Sequence, residues 1–210
     1  MRVVVPFDAT APKTRLAPVL DSTERRAFAE CMLRDVVDAV DAVGGIPQVV
    51  ATEPIDVELP AAAVRVDDRP LSPVVNDAIA RTVGGGDPLA VVVADLALAT
   101  PAALSRLFES EGDVVVAPGR GAGTNALVVR TPDFHVDYHG TSFLDHLEVA
   151  RAAGTAPTVV DSFRLATDVD EPADLVEVLV HGEGRAHEWL DARFELVVDD
   201  EEGRVGLGRR

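Results

Sequence analysis

Hydrophobic and polar positions along this chain change period repeatedly, from short unbroken apolar runs to stripes spaced by three or four. Arg2 to Pro6 predicts a buried first strand. Asp21-Ser22-Thr23-Glu24 then places an acid three positions ahead of a glutamate, a pairing that satisfies the free amides at a helix start. Phe28, Met32, Val36, Val40 and Val43 form one face of that helix, and Gly44-Gly45 closes it. Val49 to Thr52 predicts a second strand and Val64 to Val66 a short third. A helix follows from near Pro73 to Val83, ended by Gly84-Gly85-Gly86. Leu89 to Ala94 is apolar on both faces, which predicts a strand in the middle of a parallel sheet.

The alternation continues with a helix from Pro101 to Ser110, a strand from Asp113 to Ala117, a glycine-rich turn and a strand from Asn125 to Arg130. A helix from Ser142 to Ala153, a strand from Thr158 to Val160 and a helix opening at Pro172, a good first-turn residue, complete it. Strands alternating with helices predict an α/β fold: a single doubly wound, mostly parallel sheet with helices on both faces. Residues 1–194 are expected to form one domain, and residues 195–210, acidic and glycine-rich, a C-terminal β-hairpin or frayed tail.

Composition narrows the partners. No apolar run approaches the ~20 residues that cross a bilayer, and the apolar start is too short for a signal peptide, so no membrane partner and a cytoplasmic setting are expected. Cys31 is the only cysteine, which excludes intrachain disulfides and multi-cysteine zinc sites. The net charge of -17 argues against nucleic acid, whose phosphates need a basic stripe. Lys13 is the only lysine in a chain of 36 acidic and 19 basic residues, a balance that points to a salt-rich cytoplasm screening an acidic surface.

In open α/β sheets ligands sit beyond the carboxyl ends of the strands, so residues there carry the candidate chemistry. Pro12-Lys13-Thr14-Arg15-Leu16, after the first strand, sets a point charge and a planar fork two residues apart, suited to a polyphosphate or forming a plain solvated surface loop. Asp95 follows the central strand, where a carboxylate can hold a hard cation such as Mg²⁺ or simply cap a helix or turn. Thr167-Asp168-Val169-Asp170-Glu171-Pro172 brings two more acids, metal ligands or plain helix caps. Pro118-Gly119-Arg120-Gly121-Ala122-Gly123-Thr124-Asn125 reads as a close-approach ligand loop or as an ordinary hairpin turn. His139-Gly140-Thr141-Ser142 opens a helix whose free amides would suit an anion. His135, His139 and His146 are too scattered between loop and helix to make a metal set. No G-x-G-x-x-G follows the first strand, and the chain has no G-x-x-x-x-G-K-[ST] and no G-x-S-x-G at Gly140, which disfavours dinucleotide cofactors, P-loop hydrolysis and serine hydrolysis.

Pro12-Lys13-Thr14-Arg15-Leu16, Asp95-Leu96-Ala97-Leu98, Gly123-Thr124-Asn125-Ala126-Leu127, Gly140-Thr141-Ser142-Phe143 and Asp168-Val169-Asp170-Glu171-Pro172 together resemble the motifs of the CofC family of guanylyltransferases, in the same order, over residues 1 to about 180. The chain departs from that pattern at Ala97, where the family often has proline, and at Thr141, where it often has glycine. The resemblance implies a nucleotide-diphospho-sugar-transferase-like, Rossmann-like nucleotidyltransferase domain and a homodimer. It also implies transfer of a guanylyl group from GTP to 2-phospho-L-lactate or phosphoenolpyruvate, with release of pyrophosphate, in coenzyme F(420) biosynthesis. By resemblance, Lys13 and Arg15 hold the triphosphate, and Asp95, Asp168 and Asp170 hold Mg²⁺. Thr124, Gly140 and Ser142 receive the acid, and Asn76 lies near the nucleoside. Molybdopterin and sugar-phosphate nucleotidyltransferases share this fold, but Pro6 to Ala11 lacks their glycine-rich first loop. A non-catalytic nucleotide-binding module would keep the fold without a metal pair: its mark would be Asp95 lying more than about 8 Å from both Asp168 and Asp170.

Overall fold

The computed structural model describes residues 1–198 and 205–210. Strand β1 spans Arg2–Phe7 and is followed by a 3-10 turn at Thr14–Leu16, helix α1 (Ser22–Ala42) and strand β2 (Ile46–Ala51). Then come β3 (Ala63–Val66), α2 (Leu71–Thr82), β4 (Leu89–Val92), α3 (Pro101–Glu109), β5 (Val114–Pro118) and β6 (Thr124–Val129). The chain continues through α4 (Ser142–Ala152), β7 (Thr158–Val159), α5 (Phe163–Ala166), α6 (Pro172–His181), α7 (Arg185–Asp191), β8 (Phe194–Val198) and β9 (Val205–Arg209).

Local chemistry explains the boundaries. Asp21 accepts from the Glu24 amide at 2.8 Å while Glu24 accepts from the Asp21 amide at 3.0 Å, so both ends of the capping box are made. Gly44, at φ 72°, turns the chain out of α1 in a conformation glycine takes without strain. Thr100 caps α3 through its hydroxyl, and Pro172 occupies the first turn of α6.

Seven strands form one sheet in the order β3-β2-β1-β4-β6-β5-β7. Successive side chains point to opposite faces, and two cores result. Val3, Val5, Ala90, Val92, Val115 and Val128 meet α1, α3, α5, α6 and α7 on one side, while Val4, Val91, Val116 and Leu127 meet α2 and α4 on the other. The fully buried β4 does lie mid-sheet, parallel to β1, but its other neighbour is antiparallel. β6 runs against both β4 and β5, correcting the expectation of a parallel surround for β4. An apolar run records burial on both faces, not strand direction. The glycine-rich stretch is the turn of the β5–β6 hairpin.

β8 and β9 pair antiparallel as a separate hairpin. Phe194 is buried in the first core and Leu207 packs against it, while Arg209 binds Glu24 and Arg210 binds Asp191. The tip expected for this hairpin falls at residues 199–204, outside the described residues.

Candidate active site

A cleft of about 410 Å³ opens at the carboxyl ends of β1, β2, β3 and β4, between Phe7, Thr52, Asp67, Lys13, Arg15, Asp95 and Asp170. It straddles β1 and β4, where successive connections leave the sheet in opposite directions, the position at which doubly wound sheets take ligands.

Lys13 organises this end of the sheet. It sits in the left-handed region at φ 55°, a conformation that a residue with a side chain adopts only when its surroundings hold it there. Its Nζ donates to Asp95 Oδ2 at 2.5 Å and to Asp170 Oδ1 at 2.8 Å. Arg15, 67% exposed at its side chain, donates to the other Asp170 oxygen at 3.1 Å. An ammonium has three donors, so one N–H of Lys13 is left over from this pairing.

The two loops bearing the acids are laid together by the backbone bond from Val169 N to Asp95 O, 3.1 Å. Asp174 braces the second loop: one oxygen accepts from the amides of Asp170 (2.9 Å) and Glu171 (2.7 Å), and the other pairs with Arg120 of the hairpin turn. Asn125 donates to Asp168 at 3.0 Å and to Leu165 O at 3.0 Å. Because β6 runs antiparallel, its first residues lie beside the turn after β4, and Val93 N bonds to Asn125 O at 3.0 Å.

Electrostatics follow from this packing. Burial pushes the Asp95 carboxyl above its ordinary range; Lys13 opposes the shift, and Asp168 and Asp170 add to it. Burial works against the Lys13 charge, yet Asp95 and Asp170 hold its ammonium above the usual lysine range. Asp95 Oδ1 is buried without a hydrogen-bond partner, an acceptor that a bound cation would satisfy. Among the described residues no three carboxylate, imidazole or thiol groups converge into a full metal cage. The donor set fits Mg²⁺ all the same, since that ion takes one or two carboxylates and completes its shell with water and substrate phosphates. Asp95 and Asp170 share one ammonium, so they lie well within the ~8 Å that separates a metal pair from an unrelated one.

The remaining candidates are turned to other partners. Asn76 holds the loop after β6 in a two-point clamp, donating to Val136 O at 2.9 Å and accepting from Val136 N at 2.8 Å, and the cleft is lined without it. Thr124 and Ser142 are buried and joined by the bond from Thr124 N to Ser142 Oγ, 3.0 Å. The helix-start anion site expected at Gly140 to Ser142 is not open: Ser142 N donates to His139 O, Phe143 N to Ala122 O and Leu144 N to Thr141 O. The hairpin turn supplies the middle carbonyl, which sequence spacing does not reveal. Gly140 itself is exposed, with open space where a Cβ would stand. Gly119 is required by a protein neighbour, since a Cβ there would come 2.5 Å from Asn125 Oδ1.

Sequence reasoning missed Asp8, Thr52, Asp67 and Arg69, all of which line the cleft. Arg69 donates to both Asp67 oxygens at 2.9 Å, which brings the Asp67 pKa down to about 2, and it also donates to Asp77 at 2.8 Å. Their signal was their position just past the ends of β1, β2 and β3, the rule that selected Lys13 and Asp95.

Fold and site together define a nucleotidyltransferase-type α/β domain. It is similar to a nucleotide-diphospho-sugar-transferase-like protein from Desulfovibrio desulfuricans G20 (TM-score 0.70, 15% identity, 91% of this chain and 94% of that one). A nucleotidyl transferase from Methanothermobacter thermautotroptrophicus has the same fold (TM-score 0.61, 18% identity, 86% and 97% covered). Residues 1–206 match the family described as guanylyl transferase CofC like, and the chain belongs to that family. A 2-phospho-L-lactate guanylyltransferase from Halomicrobium mukohataei is 63% identical over 210 residues, all of both chains. One from Haloferax volcanii is 66% identical over 197 residues, 93% of each.

Proposed function

We propose that this chain joins GTP to 2-phospho-L-lactate, or to the closely similar phosphoenolpyruvate, and releases pyrophosphate, as a step in making coenzyme F(420). A phosphate oxygen of the acid attacks the α-phosphorus of GTP; the new P–O bond forms as the bond to the β-phosphate oxygen breaks, and pyrophosphate leaves. Such a displacement needs positioning and charge neutralisation more than covalent catalysis. The observation that carries the reading is the meeting of Lys13, Asp95 and Asp170 around one cation position at the carboxyl ends of β1 and β4, in a chain of this family.

Asp95, with Asp170 or Asp168, would hold Mg²⁺, which when bound supplies Lewis-acid charge to the reacting phosphates. Lys13 bridges the two carboxylates, offsets their mutual repulsion and offers its remaining N–H to phosphate, and exposed Arg15 adds a fork for the departing pyrophosphate. Thr124 and Ser142 would receive the acid through their hydroxyls rather than through the amides at the start of α4, with Gly140 on the exposed loop that leads into that helix. Asn76, expected near the nucleoside, would act from outside the cleft, through the loop it fixes at Val136. A homodimer, a cytoplasmic setting and tolerance of molar salt belong to the same proposal. No helix among the described residues is long and apolar enough to cross a membrane.

Pyrophosphate measured in molar KCl, with each component withheld in turn, tests this. Release that requires GTP, Mg²⁺ and the phosphorylated acid together is the expected result, and no release with either acid contradicts it.

A further inference from the structure

His146 lies on α4 four residues after Ser142, on the same helix face, and is fully buried. Its Nε2 accepts from the Asp137 amide at 3.0 Å. An amide N–H only donates, so Nε2 carries the lone pair and the proton of the neutral ring is on Nδ1. Nδ1 stands 2.8 Å from Thr124 Oγ1, and in that contact the hydroxyl oxygen must accept. Ser142 Oγ accepts in the same way, from the Thr124 amide. Both hydroxyl oxygens are thus committed as acceptors, and among the described residues neither hydroxyl proton has a protein acceptor. The two O–H donors are buried and lie outside the cleft's own lining, Thr124 at the end of β6 that borders the turn bearing Asp95; donors of this kind suit a phosphate or carboxylate oxygen.

The ring is also kept neutral. Burial brings His146 down to about 4; Asp145 on its own helix and Asp137 on the loop push the other way, and His135 and His139 on that loop reinforce the lowering. The Phe134 and Tyr138 rings pack against it at 5.9 and 5.2 Å.

We infer that His146 is a positioning residue for the acid substrate: the Asp137 amide fixes its tautomer, and that tautomer makes the Thr124 hydroxyl a donor toward the substrate anion. This rests on the reading that Thr124 and Ser142 receive the acid. His146 touches no reacting atom and acts through Thr124.

His146→Leu removes the donor facing Thr124 and fills a similar volume without offering any other donor. The KM of the acid should rise about tenfold or more, the scale of one hydrogen bond to a charged group, while kcat and the KM of GTP hold. In a Thr124→Val background the same substitution should add nothing, because the group it acts through is gone. An unchanged acid KM, a parallel rise for both substrates, or an equal loss in both backgrounds overturns the inference. Should the variant not fold, long-range proton–nitrogen NMR of the wild type decides: an Nδ1–H ring from about pH 8 to about pH 5.5 supports it, and an Nε2–H ring or an ordinary histidine titration overturns it. An inactive wild type sinks the functional reading and this inference together. An active wild type with an overturning result sinks this inference alone.

Discussion

Asp95 holds Lys13 through one oxygen and keeps the other buried without a partner, which makes it the side chain whose replacement tests the proposed chemistry most directly. Asp95→Asn preserves size and removes charge, so turnover should fall by about 10²-fold or more, the loss typical of one electrostatic stabiliser. Steady-state rates beside a melting curve check this; near-normal turnover in a folded variant would remove Asp95 from the site. A second prediction at this scale concerns stability and pH. His146 binds its proton near 6.5 when unfolded but near 4 when folded, so between those values the unfolded chain holds more protons. Its contribution is complete above the unfolded value and is lost as pH falls toward the folded one. Cooling of the melting point from pH 7 to pH 5 should reflect about 2 kcal/mol from this ring, and His146→Gln should flatten that slope. Equal slopes in both proteins would contradict the assignment. The residues legible in the sequence were those whose chemistry is local, a lone lysine and acids at strand ends. Asn76, Thr124 and Ser142 were singled out by motif, but their partners, Val136 for Asn76 and Ser142 and His146 of α4 for Thr124, lie 18 to 60 positions away in sequence.

At the scale of elements, the strands and long helices were readable because their periods span many residues: the stripe from Phe28 to Val40 and its capping box fall where the pattern puts them. The turn at Thr14–Leu16 and helices α5 and α7 were not, since three to seven residues are too few to display a helical period. Strand direction was equally hidden, and here it matters for function. Reversal of β6 carries Thr124 and Asn125 to the same end of the sheet as Asp95, so that one hairpin brings Thr124 and the partner of Asp168 there together. Gly119 permits that arrangement. Gly119→Ala would drive a methyl into the Asn125 amide, which two hydrogen bonds hold in place, and should cost about 1–3 kcal/mol together with a fall in turnover. Gly121→Ala, where the added carbon meets nothing, is the control and should leave melting point and turnover unchanged. Equal behaviour of the two variants would contradict the packing role given to Gly119.

The whole molecule carries 36 acidic residues against 19 basic ones on 210 residues. At low ionic strength these charges repel across the surface, because the Debye length grows from about 3 Å at 1 M to about 30 Å at 0.01 M. Melting temperature and activity should therefore both rise from about 0.1 M to about 2 M KCl, while GTP affinity per folded molecule weakens as salt screens Lys13 and Arg15. A flat or falling melting temperature across that range would leave the charge imbalance without this explanation. The central claim is the bond that forms between the α-phosphorus of GTP and the acid. GTP labelled at the α- or the γ-phosphorus, incubated with Mg²⁺ and 2-phospho-L-lactate or phosphoenolpyruvate, tests it most directly. The account predicts α-label in a diphosphate-linked product of one of these acids and γ-label in pyrophosphate; γ-label on the acid, or no acid-linked α-label with either one, would contradict it.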